Sequence, residues 1–119
     1  MLQVTAVALL SEVKILAHPA SVDNVPTDGG KEDHVSMGMT AATKLRSIVD
    51  NAELVTAIEL ITAAEGLEYR LPLQPGRGVR QAYEIVRSRV SRLTSDRPLA
   101  SDIQRIVRAI AGSEFDELI

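Results

Sequence analysis

Residues 34–68 read HVSMGMTAATKLRSIVDNAELVTAIELITAAEGLE, and this stretch decides the fold. It holds no proline, and its apolar residues return at helical spacing. Leu45, Ile48, Val49, Ala52 and Val55 form one stripe, and Leu54, Ile58, Ile61 and Ala64 continue it. The Asp50-Asn51 pair is the one place where such a helix could bend or break. Unbroken, it would reach roughly 50 Å at about 1.5 Å per residue. Helices of that length belong to extended bundles rather than to compact small domains.

On its N-terminal side lies HPASVDNVPTDGGKED, residues 18–33, with Pro19, Pro26, Gly29 and Gly30. A connection this long is usually functional or disordered, and two prolines with Val22 and Val25 favour a held shape. Asp33 or Ser36 is placed to cap the long helix. Glu32 then stands just before a helix N-terminus, where the dipole favours a carboxylate. Ahead of the loop, residues 2–17 contain no Pro or Gly and stop at His18-Pro19, which predicts a helix. Its apolar residues Leu2, Val4, Val7, Leu9, Leu10, Val13, Ile15 and Leu16 cover most of the circumference. A helix apolar on nearly all sides needs burial on nearly all sides, and one small domain can hardly supply it. Either an oligomer or further chain is expected around it.

On the C-terminal side, Leu71–Gly78 (LPLQPGRG) breaks the helix. A third helix over 78–93 carries Val79, Ala82, Tyr83, Val86, Val90 and Leu93 on one face and Arg80, Arg87, Arg89 and Arg92 elsewhere. Asp96-Arg97-Pro98 stops it. A fourth, over 101–111, opens on Ser101-Asp102-Ile103-Gln104, the pattern of a capping box, and ends at Gly112. No alternating strand pattern and no internal repeat occurs. The expectation is one all-α region over 1–119, a long-helix bundle with helices at 2–17, 34–68, 78–93 and 101–111.

Composition narrows the function classes. The 119 residues are 45% hydrophobic and 24% charged, as in an ordinary globular protein, but only 3% aromatic. So few rings argue against a base-stacking nucleic-acid platform. With no cysteine, disulfide scaffolds, thiolate metal sites and cysteine nucleophiles are excluded. The net charge of −3 conceals a basic block of 8 Arg within residues 76–108. That block is read as a solvated or subunit-contacting helix face, and no nucleic-acid partner is expected. Glu12 and Lys14 interrupt the apolar start, which is too short to span a bilayer and unlike a signal peptide. No membrane partner and a cytoplasmic location are therefore expected.

Catalytic motifs are scarce. His18 and His34 flank the acidic loop, but no ligand pair has helical i, i+4 spacing, so no metal is expected. Aligning Gly29 to the invariant glycine of a calcium loop puts Pro26 and Val35 where oxygen ligands belong. Gly76-Arg77-Gly78 lacks the third glycine of a phosphate loop and follows no strand. No G-x-S-x-G elbow is present. Spacing alone leads to a helical protein with one elaborate acidic loop.

That loop carries a resemblance. His18-Pro19-Ala20-Ser21-Val22-Asp23 followed by Lys31-Glu32-Asp33-His34-Val35-Ser36-Met37-Gly38 strongly resembles the aromatic amino acid lyase family, in its histidine ammonia-lyase branch. Ala57-Ile58-Glu59-Leu60, Gly66-Leu67-Glu68-Tyr69-Arg70, Pro75-Gly76-Arg77-Gly78 and Asp96-Arg97-Pro98-Leu99 with Asp102-Ile103 follow in order. The resemblance covers essentially the whole chain and corresponds to the C-terminal portion of the family, so the chain is expected to be a fragment of that fold.

The resemblance implies non-oxidative elimination of ammonia from L-histidine to give urocanate, in a homotetramer. Glu32 matches a family glutamate thought to contact the substrate imidazole. His34 belongs to the same motif and is expected to serve loop and helix packing first. Lys31 stands where the family commonly has Gln or Asn. The family's electrophile, a methylidene-imidazolone group, forms from an internal Ala-Ser-Gly. Here Ala20-Ser21 is followed by Val22, and Ala100-Ser101 by Asp102. The group is expected only in upstream sequence, no complete catalytic set is expected in this chain, and the chain alone should be silent. The alternative is a non-enzymatic helical remnant, or a partner subunit of a lyase encoded in pieces.

Overall fold

The computed structural model describes residues 1–32 and 34–118. It consists of four α-helices: α1 (Leu2–Leu16), α2 (Gly38–Glu68), α3 (Arg77–Arg89) and α4 (Ala100–Ala111). Among the described residues there is no strand, only an isolated antiparallel bridge between Thr27 and Glu32. The fold is all-α. The chain divides into two compact units, one over Gln3–Ala52 and one from Glu53 onward, the division falling in the sequence of α2.

The first unit lacks a core: none of its described residues is buried. On α1, Val4 is 72% exposed and Ile15 71%. An all-round apolar helix thus lies open. Lys14 sits in the last turn, where the helix dipole favours a cation. The helix stops at Leu16 because Pro19 has no N–H and disfavours helical geometry at His18. The Lys44 ammonium, on α2, donates to the His18 carbonyl and fixes where the chain leaves α1.

The second helix begins at Gly38, four residues later than its periodicity suggests. The reason is local. The Val35 N–H donates to Asn24 Oδ1 at 3.1 Å, and the Gly38 N–H donates to Ser36 Oγ at 3.3 Å. Residues 34–37 therefore belong to the loop, and Ser36 serves the helix start. Asp33, the other expected cap, lies outside the described residues. From Gly38 the helix runs 31 residues without a break at Asp50-Asn51.

The second unit holds the core. Ala57, Ile58, Ile61 and Ala64 of α2, Val86 of α3, Val90 just beyond it, and Ile103, Ile106 and Ala109 of α4 are its buried apolar residues. Apart from the adjacent Ala57 and Ile58, the residues of each set recur every three or four positions, the stripe that lets one helix face close on another. The third helix ends at Arg89 rather than Leu93. Val90 turns extended (φ −130°, ψ 113°) and buries its side chain, and the Leu93 N–H donates to Glu65 Oε1 at 3.0 Å.

The fourth helix corrects the capping-box expectation. Leu99 is its N-cap, and no side chain caps it. Ser101 lies inside the first turn instead. Asp102, only 3% exposed, receives hydrogen bonds from Arg97 and from Arg105, the latter at 2.9 Å. A buried carboxylate needs such partners, and both are five or fewer residues away. Gly112 closes the helix, its N–H donating to the Arg108 carbonyl, but the left-handed residue is Ser113 (φ 58°).

Candidate functional site

Between α1 and α2 the chain reverses direction within six residues. Asp28, Gly29 and Gly30 have φ of 50°, 63° and 83°. Glycine adopts such angles without steric cost, and two of the three positions are glycine. The reversal brings Thr27 and Glu32 opposite one another. The Thr27 N–H donates to the Glu32 carbonyl at 2.8 Å, and the Glu32 N–H donates back at 3.3 Å. The side chains meet as well: Thr27 Oγ1 donates to Glu32 Oε2 at 3.1 Å. Glu32 is exposed, with its carboxylate held at the rim of this turn.

His34, the second expected site residue, is not brought to Glu32 by any hydrogen bond among the described residues. It lines a separate shallow pocket of 270 Å³ with Asp23, Asn24 and Val35. Asn24 organises that pocket from inside the loop, its Oδ1 engaged by Val35 and its own N–H on Asp23 Oδ1 at 2.7 Å. Among the described residues no three His, Cys, Asp or Glu side chains converge as metal ligands. Among the described residues no helix is long and apolar enough to cross a membrane.

A second cluster sits in the other unit, and residue spacing had not singled it out. The Tyr83 hydroxyl donates to Glu68 Oε1 at 2.6 Å, and Arg87 Nε donates to the same oxygen at 3.2 Å. Arg87 also pairs with Glu65 at 2.9 Å, and Arg92 stands 3.7 Å from Glu68 Oε2. Arg87 lies over the Tyr83 ring, 5.5 Å from its centroid. The hydrogen bond from Tyr83 draws the Glu68 carboxyl below its ordinary value; burial opposes this, and Arg92 and Arg87 reinforce it. Burial works against the Arg87 charge, but the Tyr83 hydroxyl and Glu65 more than offset it, holding the guanidinium above its ordinary value. Arg87 is therefore no solvated helix-face residue: its side chain is only 13% exposed. Glu68 and Tyr83 also line a 310 Å³ cavity with Leu67, Leu73 and Arg80. The cluster fastens the end of α2 to α3.

The family model described as aromatic amino acid lyase matches residues 1–88. The chain belongs to the aromatic amino acid lyase family. Within that family it is 50% identical over 113 residues to a histidine ammonia-lyase of Myxococcus xanthus, covering 95% of this chain and 22% of that protein. The crystal structure of histidine ammonia-lyase from Trypanosoma cruzi superposes with a TM-score of 0.90 at 35% identity, over 96% of this chain and 23% of the other. A tyrosine aminomutase from Streptomyces globisporus superposes almost as well, with a TM-score of 0.89 at 32% identity, over 98% of this chain and 22% of the other. The backbone of this aromatic amino acid lyase segment is thus shared with proteins of different named chemistry. The chain spans about a fifth of the length of the relatives it matches.

Proposed function

We propose that this chain is the portion of a histidine ammonia-lyase that carries Glu32 to the substrate. The observation that supports this best is the 50% identity to a histidine ammonia-lyase over 95% of the chain, including the Glu32 loop. The chemistry of Glu32 suits the role. An exposed carboxylate with Oε2 already engaged has a second oxygen able to accept from an imidazole ring N–H, which would fix the ring's orientation and favour one charge state. Elimination of ammonia from L-histidine to urocanate then proceeds in the whole enzyme, with this chain supplying binding and scaffold.

The residues present do not fit the family's electrophile, because the sequence holds no Ala-Ser-Gly run from which a methylidene-imidazolone could form. The chain alone is therefore expected to be silent, with upstream sequence or further subunits, a homotetramer in the family, completing the site. The open α1 favours that dependence on other polypeptide, and it equally suits a partner subunit of a lyase encoded in pieces. The test follows urocanate absorbance after adding L-histidine to the purified 119-residue chain, to the whole enzyme, and to the whole enzyme with Glu32→Gln. Silence of the chain, turnover by the enzyme and a raised KM in the variant are expected. Turnover by the chain alone, or an unchanged KM in Glu32→Gln, would overturn the proposal.

A further inference from the structure

Glu32 does not hold its own position. A glutamate side chain turns about three bonds, and an exposed one loses that freedom only when something binds it. Here the reversal at Asp28, Gly29 and Gly30 places Thr27 directly across the bridge from Glu32. Paired side chains on such a bridge emerge on the same side and within reach of one another. Thr27 Oγ1 uses that reach to donate to Oε2 at 3.1 Å, while its backbone makes both bridge hydrogen bonds with Glu32. Among the described residues Oε1 has no hydrogen-bond partner. The carboxylate is thus anchored through one oxygen and open through the other.

We infer that Thr27 is a positioning residue for substrate binding: its hydroxyl pre-orients the Glu32 carboxylate so that Oε1 faces the substrate's ring N–H. This rests on the reading of Glu32 as the imidazole contact and extends it to a residue that touches no substrate. Pre-orientation removes from the binding step the cost of ordering the side chain, so its loss appears in KM before kcat. The hydroxyl supplies the effect, and the methyl group of Thr27 is dispensable to it. Serine therefore preserves the function and valine, nearly the same shape, abolishes it.

The test is a double-mutant cycle in the whole enzyme. Thr27→Val is expected to raise KM for L-histidine about tenfold with kcat nearly unchanged, and Thr27→Ser to stay within about twofold of the parent. In a Glu32→Gln background, Thr27→Val is expected to add less than about twofold, because the two residues act as one unit. In the 119-residue chain, the carbon resonance of the Glu32 carboxyl at neutral pH should move in Thr27→Val and stay in Thr27→Ser. An effect of Glu32→Gln with no KM change in Thr27→Val would overturn the positioning role while leaving the Glu32 reading intact. No effect of Glu32→Gln would overturn the reading on which it rests. Equal losses from Thr27→Val in both backgrounds would assign Thr27 to folding alone, and also overturn the inference.

Discussion

The Tyr83 hydroxyl donates to Glu68 Oε1 at 2.6 Å, joining the last residue of α2 to the middle of α3. Arg87 and Arg92 crowd the same carboxylate, and together these groups hold the Glu68 carboxyl below its ordinary value. A group with a depressed folded-state value stabilises the fold above its unfolded value and loses that contribution as pH falls through the folded one. The contribution should thus be complete at neutral pH and fade below the ordinary value of 4.5. Tyr83→Phe removes the largest cause of the depression. Thermal unfolding between pH 7 and pH 3 should show a lower midpoint for Tyr83→Phe at neutral pH and a shallower decline on acidification. Parallel curves for the two proteins would refute this account.

Asp102 makes the stronger demand on its partners. Its side chain is 4% exposed, whereas Arg97 is 29% exposed and Arg105 50%. Removing the buried member is unlike removing an exposed one. Asp102→Ala leaves two partly solvated cations that can turn to water, so the cost is held to about 2 kcal/mol, below that of breaking a fully buried pair. Arg105→Ala should cost less than about 0.5 kcal/mol, since half the side chain is already in water. Arg97→Ala should cost more than either, because it leaves the buried Asp102 carboxylate with only the half-exposed Arg105 and also loses the bond to the Ser91 carbonyl at 2.8 Å. Urea unfolding midpoints of the three variants would order these costs, and an Arg105→Ala loss equal to that of Asp102→Ala would contradict the ranking.

These two clusters also mark where sequence stopped being informative. The helical stripe through Ile58, Ile61 and Ala64 was legible because a helix face is written in local spacing, and with Ala57 these residues form the α2 part of the core. The Glu32 loop was legible only as a motif. Its reversal depends on φ angles at Asp28–Gly30, and its contact between Thr27 and Glu32 spans a turn that no periodicity reports. Arg87 looked solvated because its partners lie 19 and 22 positions away, across the Pro/Gly break after α2. Ser101 looked like a cap because its pattern is that of a cap, but Arg97 and Arg105 draw Asp102 inward and the helix starts one residue earlier. Local patterns survive where the contacts are local, and long-range pairing is what they miss.

The contrast between the two units makes an expectation for core substitutions. Ile106 is 0% exposed and packed in the second unit, so Ile106→Ala should destabilise the chain by about 2–5 kcal/mol. Val4, at 72% exposed, should cost less than about 0.5 kcal/mol when changed to Ala in the same chain. If, as proposed, α1 is covered by other polypeptide in the whole protein, the second value should rise there. Chemical unfolding of the chain and of the enzyme, each with Val4→Ala, measures the difference. Equal small effects in both would mean that α1 remains uncovered in the enzyme.

Amide exchange gives the sharpest comparison, because it resolves the units residue by residue. Exchange from the native state follows local opening, which is easy where few apolar groups are buried and hard where a core must be breached. The first unit has no buried residue among those described, and its loop is tied by the Thr27–Glu32 bridge and the Asn24–Val35 hydrogen bond. The second unit encloses Ile106 and Val86 at 0% and 1% exposure. Amides of residues 18–32 in the isolated chain should therefore exchange at least about a hundredfold faster than those of Ile103–Ala109, matching an opening free energy lower by about 3 kcal/mol. Within the loop, the Thr27 amide should be slowest, since it donates to the Glu32 carbonyl at 2.8 Å. Adding the rest of the enzyme should slow the loop and leave α4 nearly unchanged. Strong protection of the loop in the isolated chain would show that this segment carries its own stability, and that the cover demanded by α1 is not what holds the Glu32 site in place.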